Sequence, residues 1–411
     1  MRVSEVTDQA KEVLVKLGYK QNTLKTYSVD FNMISKYFAN DGLTDFSAVK
    51  CDEFIRGVFA KHKRGALSRS RFQSLRRSAS ILNECFLTGG YEWKNLSPWE
   101  QVPLNEYYSS LLEDYLEYRA ERYSISTQLS NRSEISILFQ HLQNSGITRI
   151  EQIDLKHIRD YILQMAAKYP DGIRQSLGRI RAFFRYAHVS GILERDFVSD
   201  LQIAVPPKRI LSAHFSREEC AKILAAINRE IAVGKRDYAM LLLAYRLGLR
   251  GSDIAALKFK NIDWISSSIV LNQQKTGKLV SLPLEAAVGN ALIDYIENGR
   301  PVSASKNIFL QKNAPFKELC VPSKLHNVVK KYAELAGVRF LAGDRRGIHC
   351  FRRSLGTWML EAHVPIETIS QVLGHSDIVS TKPYICTDFK NLRECALSLA
   401  GIEVQKEELL S

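Results

Sequence analysis

Apolar residues recur every three and four positions through most of the first two hundred residues, the period of amphipathic helices. Phe31, Ile34 and Phe38 make one such stripe, and Leu43, Phe46 and Val49 follow it. The same pattern returns at an offset of 104, with Ile135, Leu138 and Leu142, then Ile147, Ile150 and Ile153. Gly42 and Gly146 stand where each helix should end, as a left-handed cap requires. Further on, Leu75, Arg77, Ile81 and Leu82 match Leu177, Arg179, Phe183 and Phe184 at an offset of 102. The chain therefore reads as two copies of one helical unit, about 1–95 and 105–203.

The pattern changes after about residue 211. Tyr238 to Leu249 reads as a strongly apolar helix interrupted by Arg246, and Arg250 follows it and a glycine, projecting at the helix end. Ile269 to Leu284 reads as two apolar strands around a Thr276-Gly277 turn. Ser216, with Glu218 and Glu219 behind it, signals a helix start. The expected architecture is mainly α with a small β-sheet confined to a third domain, about 211–405. Tyr91 to Asn105, with Pro98 and Pro103, reads as the linker between copies. Val205-Pro206-Pro207-Lys208-Arg209 reads as the next, an extended strap whose two cations suit a polyanion.

Charge sharpens this picture. The 411 residues carry 57 Lys and Arg against 44 Asp and Glu, a net +13 that favours a polyanionic partner. The excess is local as well as global. Lys61, Lys63, Arg64, Arg69, Arg71, Arg76 and Arg77 crowd into one segment without an acid. In the second copy, Arg174, Arg181 and Arg185 fall on one helical face. Two basic runs at matching places in a repeat are expected to grip DNA phosphates, fixing position more than sequence choice. No apolar run approaches the ~20 residues that a membrane span needs. No leader pattern opens the chain, so the expected location is the cytoplasm. The seven cysteines at 51, 85, 220, 320, 350, 386 and 395 show no CxxC spacing, which fits reduced, packed thiols.

The chemistry-bearing residues gather in the last third. They occur in Gly248-Leu249-Arg250-Gly251-Ser252-Asp253, then Gln274-Lys275-Thr276-Gly277-Lys278, then His349-Cys350-Phe351-Arg352, then Leu373-Gly374-His375, with Tyr384 nine residues beyond. Arg250 and Arg352 suit a phosphate, because a guanidinium stays charged and offers a flat fork of donors. Asp253 is placed to brace Arg250 or to cap the next helix. A phenol such as Tyr384 is a weak nucleophile until a base takes its proton. His349, one helical turn from Arg352, suits that task, and His375 suits a hydrogen bond to the phosphate. No GxxxxGK[ST] loop and no acidic cluster accompany the set, so neither nucleotide nor metal is expected as a cofactor.

These segments, in this order, resemble the tyrosine recombinase (phage integrase) family over about residues 105 to 400. The resemblance implies two helical SAM-like DNA-binding domains before a tyrosine recombinase catalytic domain, the first being additional to the shortest members. It implies that Tyr384 forms a 3′-phosphotyrosine link, and that Lys275 on the hairpin protonates the leaving 5′ oxygen, Lys278 being the other candidate. His349-Cys350-Phe351-Arg352-Arg353 departs slightly, since many members have His where Arg353 stands. Phe389, Leu392, Ala396 and Leu399 continue at helical spacing, and the resemblance implies that this segment passes to a neighbouring subunit. The implied partners are double-stranded recombination sites, a tetramer on DNA and an accessory DNA-bending protein, for integration or excision of a mobile element. Type IB topoisomerase-like relaxation and a catalytically silent DNA-binding regulator are the alternatives.

Overall fold

The computed structural model describes residues 1–94, 96, 103–169, 172–202, 214–319, 322–338 and 347–375. Two compact units emerge. One holds residues up to 94 together with those after 210, and the other lies between 95 and 209.

The first 94 residues form a four-helix bundle: α1 (Val3–Lys16), α2 (Gln21–Asn40), α3 (Ala48–Lys63) and α4 (Arg69–Thr88). The second unit repeats it with α5 (Glu106–Ala120), α6 (Ile125–Asn144), α7 (Leu155–Lys168) and α8 (Ile173–Val189). The anticipated stripes are buried in both: Phe31, Ile34 and Phe38 in one, Ile135, Leu138 and Leu142 in the other. α2 and α6 also end alike. Gly42 and Gly146 take positive φ, and the next amides, Leu43 and Ile147, reach back to the carbonyls of Phe38 and Leu142 at 3.0 Å. The match breaks at Val49, which is exposed while Ile153 is buried.

A shared polar feature lies inside each bundle. The buried Asp30 accepts from Ser74 and Ser78 at 2.7 Å and pairs with Arg71. The buried Glu134 accepts from Ser176 at 2.9 Å and Tyr161 at 3.2 Å, with Arg179 at 3.8 Å. Asp30 and Glu134 are related by the offset of 104, and Ser74 and Ser176 by 102. A buried carboxylate survives only with donors around it, so a matched acid–serine pair is hard to obtain from helical patterning alone.

Beyond residue 213, Ser216 and Glu219 close a reciprocal capping box that opens α9 (Arg217–Ala225). α10 (Ala232–Leu247) is buried almost all round and is the central helix. It is followed by α11 (Gly251–Ala255), β1 (Ile262–Asp263), β2 (Ser268–Asn272), β3 (Leu279–Pro283) and α12 (Ala286–Asn298). Then come α13 (Pro322–Leu335), α14 (Ile348–Glu361) and α15 (Ile366–Leu373). The strands form an antiparallel sheet in the order β1-β2-β3, with Ile269 opposite Leu282 and Leu271 opposite Val280. Those four side chains face the core, as alternation requires. Ser354 ties the start of this part to α14: its hydroxyl meets both the N–H and the C=O of Phe215 at 2.8 Å. The first bundle contacts it through Lys317, which pairs with Glu92 at 3.0 Å and donates to the Trp93 carbonyl at 2.9 Å.

Cys51, Cys85, Cys220 and Cys350 are buried free thiols. Among the described residues no helix is long and apolar enough to cross a membrane.

Candidate active site

The buried helix α10 must stop for the first arginine to reach the site. Gly248 stops it with φ +61°, and a Cβ there would stand 2.9 Å from Leu355. The chain turns, Leu249 is buried, and Arg250 becomes the extended residue ahead of α11. Its guanidinium is buried. Nη2 donates to the Gly374 carbonyl at 3.1 Å, and Nη1 donates to the Gln273 side-chain oxygen. Arg352, buried on α14, donates to the Gly248 carbonyl at 2.8 Å and to the Leu373 carbonyl. The two arginines thus stitch three of the sequence segments together. These four bonds end on neutral oxygens, which fix the guanidinium planes without cancelling their charge.

The Leu373-Gly374-His375 segment closes α15. Gly374 takes φ +59°, and the His375 amide donates to the Ser370 carbonyl at 2.9 Å. His375 is buried beside the arginines' anchoring carbonyls. The hairpin between β2 and β3 is pinned by Gly277 N–H to the Gln273 carbonyl at 2.8 Å and Gln273 N–H to the Lys278 carbonyl at 2.9 Å. Lys275 stands exposed at its tip. The Lys278 amine instead donates to the His375 carbonyl at 2.7 Å. Asp253 is buried on α11, and its Oδ1 accepts the Gln274 amide at 2.8 Å, so it braces the hairpin turn. Burial pushes its carboxyl up, against the pull of that amide and of the Arg250 and Arg352 charges.

His349 lies one turn before Arg352 at the start of α14. Desolvation, then the charges of Arg352, Arg353, Lys275 and Arg250, push it down to about 4 from its ordinary 6.5. Part of its surface is exposed, and the four cations around it act in the same direction as burial. A neutral imidazole among cations is a proton acceptor at neutral pH. In the unbound protein His349 should therefore take up a proton only well below pH 6.5, toward 4. The unfolded chain binds the extra proton between about pH 6.5 and 4, so folding weakens as pH falls through that window and is unaffected above it. An NMR titration of the His349 ring checks the first point, and a midpoint at the ordinary histidine value refutes it.

Four groups from three segments therefore come together, Arg250, Arg352, His375 and His349, with Lys275 of a fourth segment beside them, an arrangement that favours an anion. Among the described residues no three His, Cys, Asp or Glu side chains are grouped to hold a metal ion. Tyr384, the segment through Leu399, and the strap cations Lys208 and Arg209 lie outside the described residues.

The basic runs divide. Lys61, Lys63, Arg64 and Arg69 are exposed around the α3–α4 turn, and Arg174 and Arg185 are exposed on α8. Arg76 and Arg181 are half-buried, the latter donating to the Leu177 carbonyl at 3.3 Å. Arg71 and Arg77, both half-buried, also make contacts within the bundle. Arg71 neutralises the buried Asp30. Arg77 donates to the Tyr91 hydroxyl and the Lys94 carbonyl and lies 5.1 Å from the centre of the Trp93 ring. The opening of the expected 91–105 linker is thus packed onto the first bundle.

Gln273 escaped the sequence reading, although a signal existed. It continues the inward alternation of Ile269 and Leu271, and a polar residue at an inward position asks for a partner.

The profile described as "Phage integrase family" matches residues 214–391. A protein of Sinorhizobium fredii named as an integrase/recombinase, y4gC, is 35% identical over 189 residues, covering 46% of this chain and 96% of that protein. A second from the same organism, y4rA, is 34% identical over 227 residues, 54% of this chain. The match spans only 53% of y4rA's own length. Among solved structures, a lambda integrase tetramer bound to a Holliday junction aligns with a TM-score of 0.54 at 18% identity, covering 77% of this chain and 88% of that one. At that identity the likeness is one of fold.

Proposed function

Because the chain belongs to the phage integrase family, we propose that it is a site-specific DNA recombinase that cuts and rejoins strands through Tyr384. The observation that carries this reading is the pair of buried guanidiniums, Arg250 and Arg352, held by neutral oxygens, two of them carbonyls of the segment that presents His375, with His349 one turn before Arg352. Such a pair stabilises the extra negative charge that builds on a phosphodiester under attack, and it needs no reorganisation at the moment of reaction.

The steps balance without a cofactor. The Tyr384 oxygen attacks the scissile phosphorus as its proton passes to neutral His349. The bond to the 5′ oxygen breaks, and Lys275 supplies that oxygen's proton. His375 donates to a non-bridging oxygen. A 5′ hydroxyl from the partner duplex then attacks the phosphotyrosine, and the proton transfers reverse. Each new ester replaces an old one, so neither ATP nor a metal ion enters. Lys275 is the better acid than Lys278, whose amine is already committed to the His375 carbonyl.

The substrate is double-stranded DNA at two recombination sites, synapsed by four copies of the chain, for integration or excision of a mobile element. The exposed cations of the α3–α4 turn and of α8 grip phosphates on either copy of the repeat. Incubation with a duplex recovered from a random library by covalent capture should give attachment and strand exchange in EDTA without nucleotide. Strict dependence on a divalent ion would point to a nuclease. Relaxation of any supercoiled plasmid without exchange between sites would point to topoisomerase-like action.

A further inference from the structure

Gln273 is buried at the crossing of three segments. Its side-chain oxygen accepts from Arg250 Nη1 and from the Thr276 hydroxyl at 2.9 Å. Its amide nitrogen donates to the Leu373 carbonyl at 3.3 Å, the same carbonyl that Arg352 uses. Its own N–H and C=O pin the hairpin that carries Lys275. Gly374 packs so closely that a Cβ there would stand 2.4 Å from the Gln273 amide nitrogen.

We propose that Gln273 is a positioning residue: its amide fixes the Arg250 fork, the Lys275 hairpin and the Leu373-Gly374-His375 segment relative to one another without neutralising the guanidinium. The choice of side chain is chemical. The oxygen must accept, the nitrogen must donate, and the group must carry no charge. A carboxylate of the same shape would accept from Arg250 but could not donate to Leu373. It would also compete with the phosphate for the guanidinium. The acid that does stand nearby, Asp253, directs Oδ1 at the Gln274 backbone.

The proposal rests on the recombinase reading, and the test separates the two. Gln273→Glu and Gln273→Leu are compared with the unaltered protein on the captured duplex, recording covalent attachment at saturating DNA, noncovalent affinity and thermal unfolding. Misplacement of a catalytic group by about an ångström costs on the order of 100-fold in rate, and that loss is expected in both variants at saturating DNA. Melting temperature should change little in Gln273→Glu, which keeps the shape and the contact to Arg250, and affinity should fall far less than the rate, because binding draws on many other phosphate contacts. Attachment at the unaltered rate in both variants overturns the proposal. So does a loss of rate that appears only together with a matching loss of fold and of affinity. If no duplex is captured by the unaltered protein, the recombinase reading itself fails.

Discussion

Tyr384→Phe is expected to abolish covalent attachment to DNA and to leave noncovalent binding nearly intact. Only the attacking oxygen is removed, while the phosphate-binding groups and the exposed cations remain. Binding draws mostly on many phosphate contacts, so a single uncharged atom contributes little to it. A gel shift with and without denaturant measures the two quantities separately. Retention of a denaturant-resistant complex by the Phe variant would remove Tyr384 from the mechanism.

Arg250→Ala and Arg352→Ala are each expected to slow attachment by at least two to three powers of ten. Loss of one preorganised donor to the developing charge costs ~3–4 kcal/mol. The structure adds a second cost. Arg250 and Arg352 anchor to the Gly374 and Leu373 carbonyls, so either truncation also releases the segment that carries His375. Lysine should rescue little at Arg250, because an ammonium keeps the charge but loses the fork that spans Gln273 and Gly374. Single-turnover attachment on the captured duplex checks this. A loss below tenfold in either alanine variant would mean that the guanidinium does not touch the reacting phosphate.

Much of this was readable in the chain, for definable reasons. The stripes of α2 and α6 declared themselves because a three-to-four period has one structural meaning at that length. The glycine caps were visible because only a residue without Cβ takes positive φ cheaply. The hairpin was legible from alternation around Thr276-Gly277. The polar interior was not. Periodicity says which face is apolar and is silent on which charged residue turns inward, so Asp30 and Glu134 passed unnoticed. Their partners went with them: Arg71 looked like part of a DNA-facing cluster because its neighbours in sequence are basic, yet its neighbour in space is an acid. Val49 misled for the converse reason, since a residue at the opening of α3 keeps its place in the period while its side chain faces solvent. In the site, the motif residues were found one by one. The fact that carbonyls of Gly248, Leu373 and Gly374 bind them into one frame belongs to the backbone and leaves no mark in side-chain identity.

The central claim is that a single phenol oxygen carries the cut strand. The measurement that meets it most directly is to trap the complex on a captured duplex nicked beside the scissile phosphate. The trapped complex is then digested with nuclease and protease, and the nucleotide adduct is located by mass spectrometry. One adduct is expected, a 3′-nucleotide on the peptide containing Tyr384, formed in EDTA and absent from Arg250→Ala at matched times. An adduct on any other residue, or cut DNA with no protein attached, would contradict it.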